Sequence, residues 1–225
     1  MPIKAKTSGG KLAAWSFSRW GDYEQCPAKA KYKHIDRMKE PGSSAMERGS
    51  MIHTLAENFV KGSLKGSLPP ELKLFGKEFR DLRKRRAICE EQLAFTEKWE
   101  KCDWFAHNTW LRVKMDVMYL DGDTLVVIDH KTGKPKDDYG LQLSLYALAG
   151  FLTFPSATKV RAALWFLDAG EEVAEGFTRD QVEDLKKDWL KRVKPMFSDT
   201  RFAPKPGNYC RWCHFRKGNN GPCQF

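Results

Sequence analysis

No stretch of the chain approaches the roughly 18–20 uninterrupted apolar residues that a membrane span needs, and mean hydropathy is −0.59. Both exclude a helical membrane protein. Met1 to Lys11 lacks the apolar core of a signal peptide, so an intracellular, cytoplasmic protein with no membrane partner is expected. Internal repeats and low-complexity tracts are missing. So is the Gly-x-x-x-x-Gly-Lys-Ser/Thr pattern of a nucleotide-driven motor, which leaves a standalone protein or one subunit of a larger machine. Acidic residues are in short supply: 29 Asp+Glu face 39 Lys+Arg, a formal net charge of +10. That surplus points to an anionic partner, most simply nucleic acid, against the alternative of a solubilising surface. Six cysteines in a reducing compartment do not make a disulfide framework, so any cluster among them reads first as metal ligation.

What is present suits one globular domain with a sizeable core: 225 residues, 41% hydrophobic and 12% aromatic. Residues 1–15 read as a flexible arm. An amphipathic helix begins at Ser18, with Trp20, Tyr23 and Ala30 on its apolar face and a break at Pro27. Ser44 and Glu47 form a capping box for a helix to about Lys61, with Ile52, Ala56, Phe59 and Val60 inward. Gly62 to Pro70 is a linker, and Phe79 to Arg86 is strongly basic. Glu91 is placed on a helix ahead of a β-hairpin of Trp110–Leu120 and Leu125–Lys131, joined by Asp121-Gly122-Asp123. A loop to Tyr139, a helix over 141–152, strands over 160–167 and 173–177, and a helix capped by Thr178 and Gln181 complete the pattern.

The hairpin carries the chemistry. Side chains alternate with period two, so Asp129 and Lys131 share a face and His130 takes the other. A Gly122-Asp123 turn puts Asp116 opposite Asp129, and an Asp121-Gly122 turn puts it opposite Val127. Either way both carboxylates and Lys131 share a face, whereas a three-residue loop would send Asp116 to the face of His130. Two carboxylates on adjacent strands repel unless a cation lies between them, and a hard divalent ion with oxygen preference is the economical answer. Lys131 beside them is placed to orient an activated water or to stabilise charge on a phosphate.

The set Gly49-x-x-x-His53, Asp116, Asp129-x-Lys131 and Gln142-x-x-x-Tyr146, with the opening Ser16-Phe17-Ser18 through Tyr23-Glu24-Gln25-Cys26-Pro27, resembles the RecB-like members of the PD-(D/E)XK nuclease superfamily from about residue 16 to the C-terminus. The resemblance implies an α/β (α+β) fold, a restriction-endonuclease-like core with a mixed central sheet flanked by helices over residues 16–200. It implies His53, Asp116, Asp129 and the main-chain carbonyl of His130 as ligands of Mg²⁺ or Mn²⁺. It also implies Lys131 as the catalytic lysine, with Gln142 and Tyr146 positioning the site or touching DNA. One position departs from the family: Val113 stands where glycine is usual, on the face opposite Asp116. Arg80, Arg83, Lys84, Arg85, Arg86, Arg112 and Lys114 are candidates for guiding a DNA backbone, and Trp15, Trp20 and Trp212 for stacking bases, with most of these tryptophans expected in the core.

Cys210-x-x-Cys213 and Cys223 supply three thiolates, and Cys26 or His214 completes a tetrahedral site. The spacing alone leaves zinc and iron open. The resemblance favours a [4Fe-4S] cluster, because CRISPR-associated and AddB-type relatives join one N-terminal and three C-terminal cysteines in this way; segment 201–225 would then be tied to Cys26. The expectation is therefore a metal-dependent DNA nuclease, an exonuclease at ends or on single strands. A helicase, recombination or CRISPR-adaptation partner is compatible with it. The alternative is a DNA-end-binding adaptor that keeps the fold without hydrolysis.

Overall fold

Leu125 to Ile128 is a run of four apolar residues, the pattern of a strand covered on both faces. In the computed structural model, which describes residue 12, residues 14–136 and residues 138–225, this run lies inside a six-stranded mixed sheet. Its strands are β1 (Ile88–Phe95), β2 (Lys101–Cys102), β3 (Leu111–Asp121), β4 (Thr124–Lys131), β5 (Lys159–Phe166) and β6 (Glu171–Thr178), in the order β2-β1-β3-β4-β5-β6. The helices are α1 (Phe17–Gln25), α2 (Pro27–Ala30), α3 (Ser44–Val60), α4 (Gly76–Arg85), α5 (Gly140–Thr153) and α6 (Val182–Ser198). Among the described residues no helix is long and apolar enough to cross a membrane.

The chain divides into two compact units, residues 43–187 and residues 1–42 with 188–225. In the first unit, β4 and β5 are the parallel pair, and α5 is the crossover that a parallel connection needs. Ile52, Ala56 and Phe59 of α3 and Phe79 and Leu82 of α4 pack on Val117, Ile128, Ala163 and Trp165, which alternate along β3, β4 and β5. α5 covers the opposite face. Gly150 allows its close approach, because a Cβ there would stand 2.7 Å from Leu125 Cδ2 and 3.4 Å from Val160 Cγ2. The result is the α+β fold with a helix-flanked mixed sheet that the sequence led us to expect.

In the second unit Trp189 stacks on Trp15 with ring centroids 5.3 Å apart and meets Trp20 edge-on at 5.3 Å. Trp15 and Trp20 are therefore core residues, as expected for most of the three tryptophans, and not base-stacking groups, since both rings are buried. Leu12 and Ala14 are buried too, within the segment read as an arm; residues 1–11 and 13 of that segment lie outside the described residues. Pro27 opens α2 at its first turn, where its missing N–H costs nothing. Asp22 of α1 gathers Lys29 at 2.8 Å, Lys33 at 3.2 Å and His34 at 2.8 Å.

Two sequence expectations need correction. Glu91 lies on strand β1 and not on a helix, paired with Met115. The cap of α3 is Ser43, whose extended backbone lets its Oγ accept from Met46 N–H at 3.2 Å; Ser44 is already helical. The segment after the linker begins with a 3₁₀ turn, Pro70–Phe75, that runs straight into α4. The Thr178 and Gln181 capping box, by contrast, stands as read, with Gln181 Oε1 accepting from Thr178 N–H at 2.8 Å.

Asp22 sets a measurable pH dependence. Burial opposes its ionisation, but hydrogen bonds from His34 and Lys29 and the charges of Lys29 and Lys33 hold its carboxyl far below the usual value of 3.8. A carboxyl lowered on folding adds stability above its unfolded pKa and loses it as pH falls through the folded one. Asp22→Asn should therefore destabilise the protein by about 1–3 kcal/mol in urea at pH 7. The gap between variant and wild type should shrink steadily below pH 4, and a gap independent of pH would contradict the assignment.

Candidate active site

The β3–β4 ladder pairs Asp121 with Thr124 and continues to Val117 opposite Ile128. Gly122 and Asp123 thus form the turn, with Gly122 at φ +63°, a left-handed conformation that glycine takes without a Cβ clash. One further step in this register sets Asp116 opposite Asp129, the first of the two registers allowed by the sequence. Asp129 and Lys131 then share the α5 face of β4, and His130 turns to the α3 face, where its ring lies 5.3 Å from Phe79 and 5.9 Å from His53.

α5 supplies the clamp on Asp129. Gln142 and Tyr146, one turn apart, share a helix face; Gln142 Nε2 donates to Tyr146 Oη at 2.9 Å, and Tyr146 Oη donates to Asp129 Oδ1. Lys131 Nζ forms an ion pair with Asp129 Oδ2 at 2.7 Å. Asp116 reaches round the end of β4 instead. Its Oδ2 accepts the His130 backbone N–H at 2.7 Å and lies 3.1 Å from His53 Nδ1 on α3 and 3.9 Å from His130 Nδ1.

These contacts drive the two carboxylates apart in acidity. Burial works to raise Asp116, yet the His53 hydrogen bond and the two imidazoles prevail and hold it below the ordinary carboxylate range. Asp129 moves up, through burial and then the charge of Asp116, against the pull of Lys131 and Tyr146. His53 is raised chiefly by its hydrogen bond to Asp116. Burial pushes His130 down to about 4, so it is neutral at pH 7, and burial beside Asp129 raises Tyr146, which stays a proton donor.

This donor set fits a divalent cation. His53, Asp116 and His130 each present a ligand atom within 4.8 Å of the others, and the buried His130 Nε2 has no partner. Carboxylate donors suit Mg²⁺ and Mn²⁺, whereas imidazoles suit Zn²⁺, Fe²⁺ and Ni²⁺, so this set fits a divalent ion without selecting one. The His130 amide faces Asp116, and strand geometry turns its carbonyl the same way. The Lys131 carbonyl is spent on β5 and its extension, accepting from Leu167 N–H at 2.9 Å. The sequence missed the His130 imidazole, because period two correctly sends it to the other face and nothing signals that Asp116 bends round to meet it. Glu90 was missed as well. It stands on β1 opposite Asp116 at φ +59° and pairs with Lys114.

The remaining candidates divide. Arg112 and Lys114 alternate with buried neighbours on β3 and lie on the strand face of Asp116. The basic run of α4 is engaged elsewhere: Arg80 with Gly76 O, Arg83 over the Phe59 ring, Lys84 with Asp81 and Arg85 with Asp121 at the hairpin turn. Arg86 closes α4 in a left-handed conformation. In the other unit Trp212 is exposed, with Arg211 over its ring at 3.9 Å.

Cys26, Cys210, Cys213 and Cys223 line one cavity of 240 Å³ there, and His214 is not among its lining residues. Backbone N–H groups point at two of the sulfurs, Lys205 to Cys26 and Gly207 to Cys210, each at 3.4 Å. No three of these sulfurs lie within 4.8 Å of one another. Cys89 and Cys102 are separate, the first buried and the second half-buried.

No curated protein matches the sequence. Among solved structures, a protein from Eubacterium rectale named "Putative exonuclease" is similar with a TM-score of 0.51 at 12% identity, over 98% of this chain and 92% of that one. At such identity the likeness is one of fold. The structure of SSO0001 covers 95% of this chain and 88% of its own at 14% identity, with a TM-score of 0.39, too low to carry an argument. The family model described as the PD-(D/E)XK nuclease superfamily matches residues 14–217. That span holds both compact units up to Lys217 and every residue of the carboxylate cluster, and the chain belongs to the PD-(D/E)XK nuclease superfamily.

Proposed function

We propose that the protein is a divalent-metal-dependent deoxyribonuclease of the RecB-like kind, hydrolysing phosphodiester bonds at DNA ends or in single strands. The observation that carries this reading is Lys131 Nζ held 2.7 Å from Asp129 while Asp116, on the paired strand, is held by His53 at 3.1 Å. A protein that only binds DNA has no use for an ammonium group beside two buried carboxylates. Net charge +10 supports a polyanionic substrate.

In this reading His53, Asp116, Asp129 and the carbonyl of His130 hold Mg²⁺ or Mn²⁺. Such an ion supplies Lewis acidity at the scissile phosphate and a nucleophile at neutral pH. Lys131 orients the attacking water and offsets charge on the phosphate oxygens, in line with the departing 3′-oxygen. Tyr146 and Gln142 fix the rotamer of Asp129, so that its Oδ2 faces Lys131 and the reacting centre. Lys114 and Arg112 guide the backbone along β3.

We infer further that Cys26, Cys210, Cys213 and Cys223 hold a [4Fe-4S] cluster as a structural staple. Support comes from their shared cavity and from N–H groups aimed at sulfur, a common way of stabilising cluster thiolates. Protein purified without oxygen should be brown and carry iron and acid-labile sulfide in equal amounts. Cys223→Ser should be paler and unfold at a lower temperature. Colourless protein with stoichiometric zinc would replace the cluster by zinc.

The test of the enzyme is degradation of end-labelled linear and closed circular DNA with Mg²⁺, Mn²⁺ or EDTA. Wild type should degrade linear DNA with metal only, and folded Lys131→Ala should be slower by about 100- to 1,000-fold. Wild type that binds DNA yet cuts none of these substrates would make the end-binding adaptor the better reading.

A further inference from the structure

Phe105 is 85% exposed, more than any other large apolar side chain among the described residues. Yet its loop is not loose. Ala106 N–H and Thr109 Oγ1 both donate to Asp103 O at 3.0 Å, and Thr109 N–H donates to Ala106 O at 3.1 Å. Arg112 of β3 ties the loop to the sheet: its Nε donates to Trp104 O at 2.9 Å, and its guanidinium lies 5.4 Å from the Trp104 ring centre and 5.6 Å from that of Phe105. No carboxylate pairs with Arg112 among the described residues. The loop thus presents an exposed aromatic ring, on hydrogen-bonded backbone, beside a planar cation with no carboxylate partner.

The position of this group is specific. Arg112, Lys114 and Asp116 occupy alternate places on β3, half-exposed, exposed and buried in turn, so they share one face. Gln92, across from Lys114 on β1, is exposed and uncharged. A lane carrying Arg112 and Lys114 therefore runs from the Phe105 loop down to the carboxylates, about 13 Å at the strand rise of about 3.3 Å per residue, with Lys114 ion-paired to the half-buried Glu90 of β1 at its lower end. That length spans a few nucleotides. Resting on the nuclease reading above, we propose that Trp104, Phe105 and Arg112 form a stacking platform for an unpaired base, so that the enzyme takes single-stranded DNA with its backbone led past Lys114 to Asp116. Stacking on an open aromatic face selects unpaired bases, because paired ones already stack on their neighbours, and the loop's internal hydrogen bonds remove the cost of ordering it on binding.

The test uses the full-length protein in EDTA, which prevents cutting, and follows fluorescence anisotropy of a labelled oligo-dT and of a blunt duplex. Phe105→Ala should weaken oligo-dT binding by about 5- to 100-fold and change duplex binding less than about twofold, with an unchanged melting temperature. An abasic oligomer should bind wild type and variant alike. Arg112→Lys, which keeps the charge and loses the planar face, should also weaken oligo-dT binding while leaving its salt dependence unaltered. Oligo-dT binding that survives both substitutions, or an equal loss on single strand and duplex, overturns the platform and leaves the nuclease standing; the first result would instead fit a protein-docking role for Phe105. Wild type that binds neither nucleic acid overturns the DNA reading itself.

Discussion

Two carboxylates buried at opposed positions of neighbouring strands set the terms for the whole site. Directly opposed residues hold their Cβ atoms about 4.5–5.5 Å apart, so Asp116 and Asp129 cannot both ionise cheaply in a dry interior. Each surrounding element answers that constraint. α3 brings His53 to Asp116, β4 turns the His130 amide onto the same oxygen, α5 brings Tyr146 and Gln142 to Asp129, and Lys131 neutralises its other side. The outcome is one carboxyl pulled down and one pushed up.

The sheet makes this arrangement rigid. β4 and β5 run parallel through its middle, and their connecting helix lies close because Gly150 leaves room for Leu125 and Val160. That contact fixes the height of Tyr146 over Asp129, four residues up the same helix. On the other side Phe79 and Trp165 pack around His130, which locks the residue whose amide and carbonyl both face Asp116. β3 then does two jobs with one alternation: its odd residues Leu111, Val113 and Met115 are core, and its even residues lead from solvent to the buried Asp116.

How much of this could be read beforehand followed from the periodicity of each segment. The hairpin was legible because Asp121-Gly122-Asp123 announces a turn between two alternating strands, and the choice between two even registers and a three-residue loop had to come from the structure. α5 was legible from its apolar run, and the spacing of Gln142 and Tyr146 put them on one face in advance. β1 was hidden because Glu90, Glu91 and Gln92 interrupt Ile88–Phe95 with residues of low strand propensity; pairing with β3 overrides that preference. Glu47 three residues on favours Ser44 as the cap, and only backbone conformation shows that Ser43 takes that place. The packing of Trp15 and Trp20 around Trp189 joins residues more than 160 positions apart, which no local pattern reports. Phe105 was overlooked for the opposite reason, since a Trp-Phe pair in a polar loop gives no sign of which ring stays exposed.

The central claim is that the fold keeps the Asp116 and Asp129 pair for a cation and loses stability without one. Thermal unfolding of wild type and Asp129→Asn, in EDTA and in Mn²⁺, tests it most directly. In EDTA the variant should unfold at or above the wild-type temperature, because one of two opposed acids is gone. Mn²⁺ at 100 times its dissociation constant should stabilise wild type by about 2.7 kcal/mol and leave the variant unmoved. A wild type indifferent to Mn²⁺ and Mg²⁺, with a variant less stable in EDTA, would mean that the carboxylates serve the fold alone.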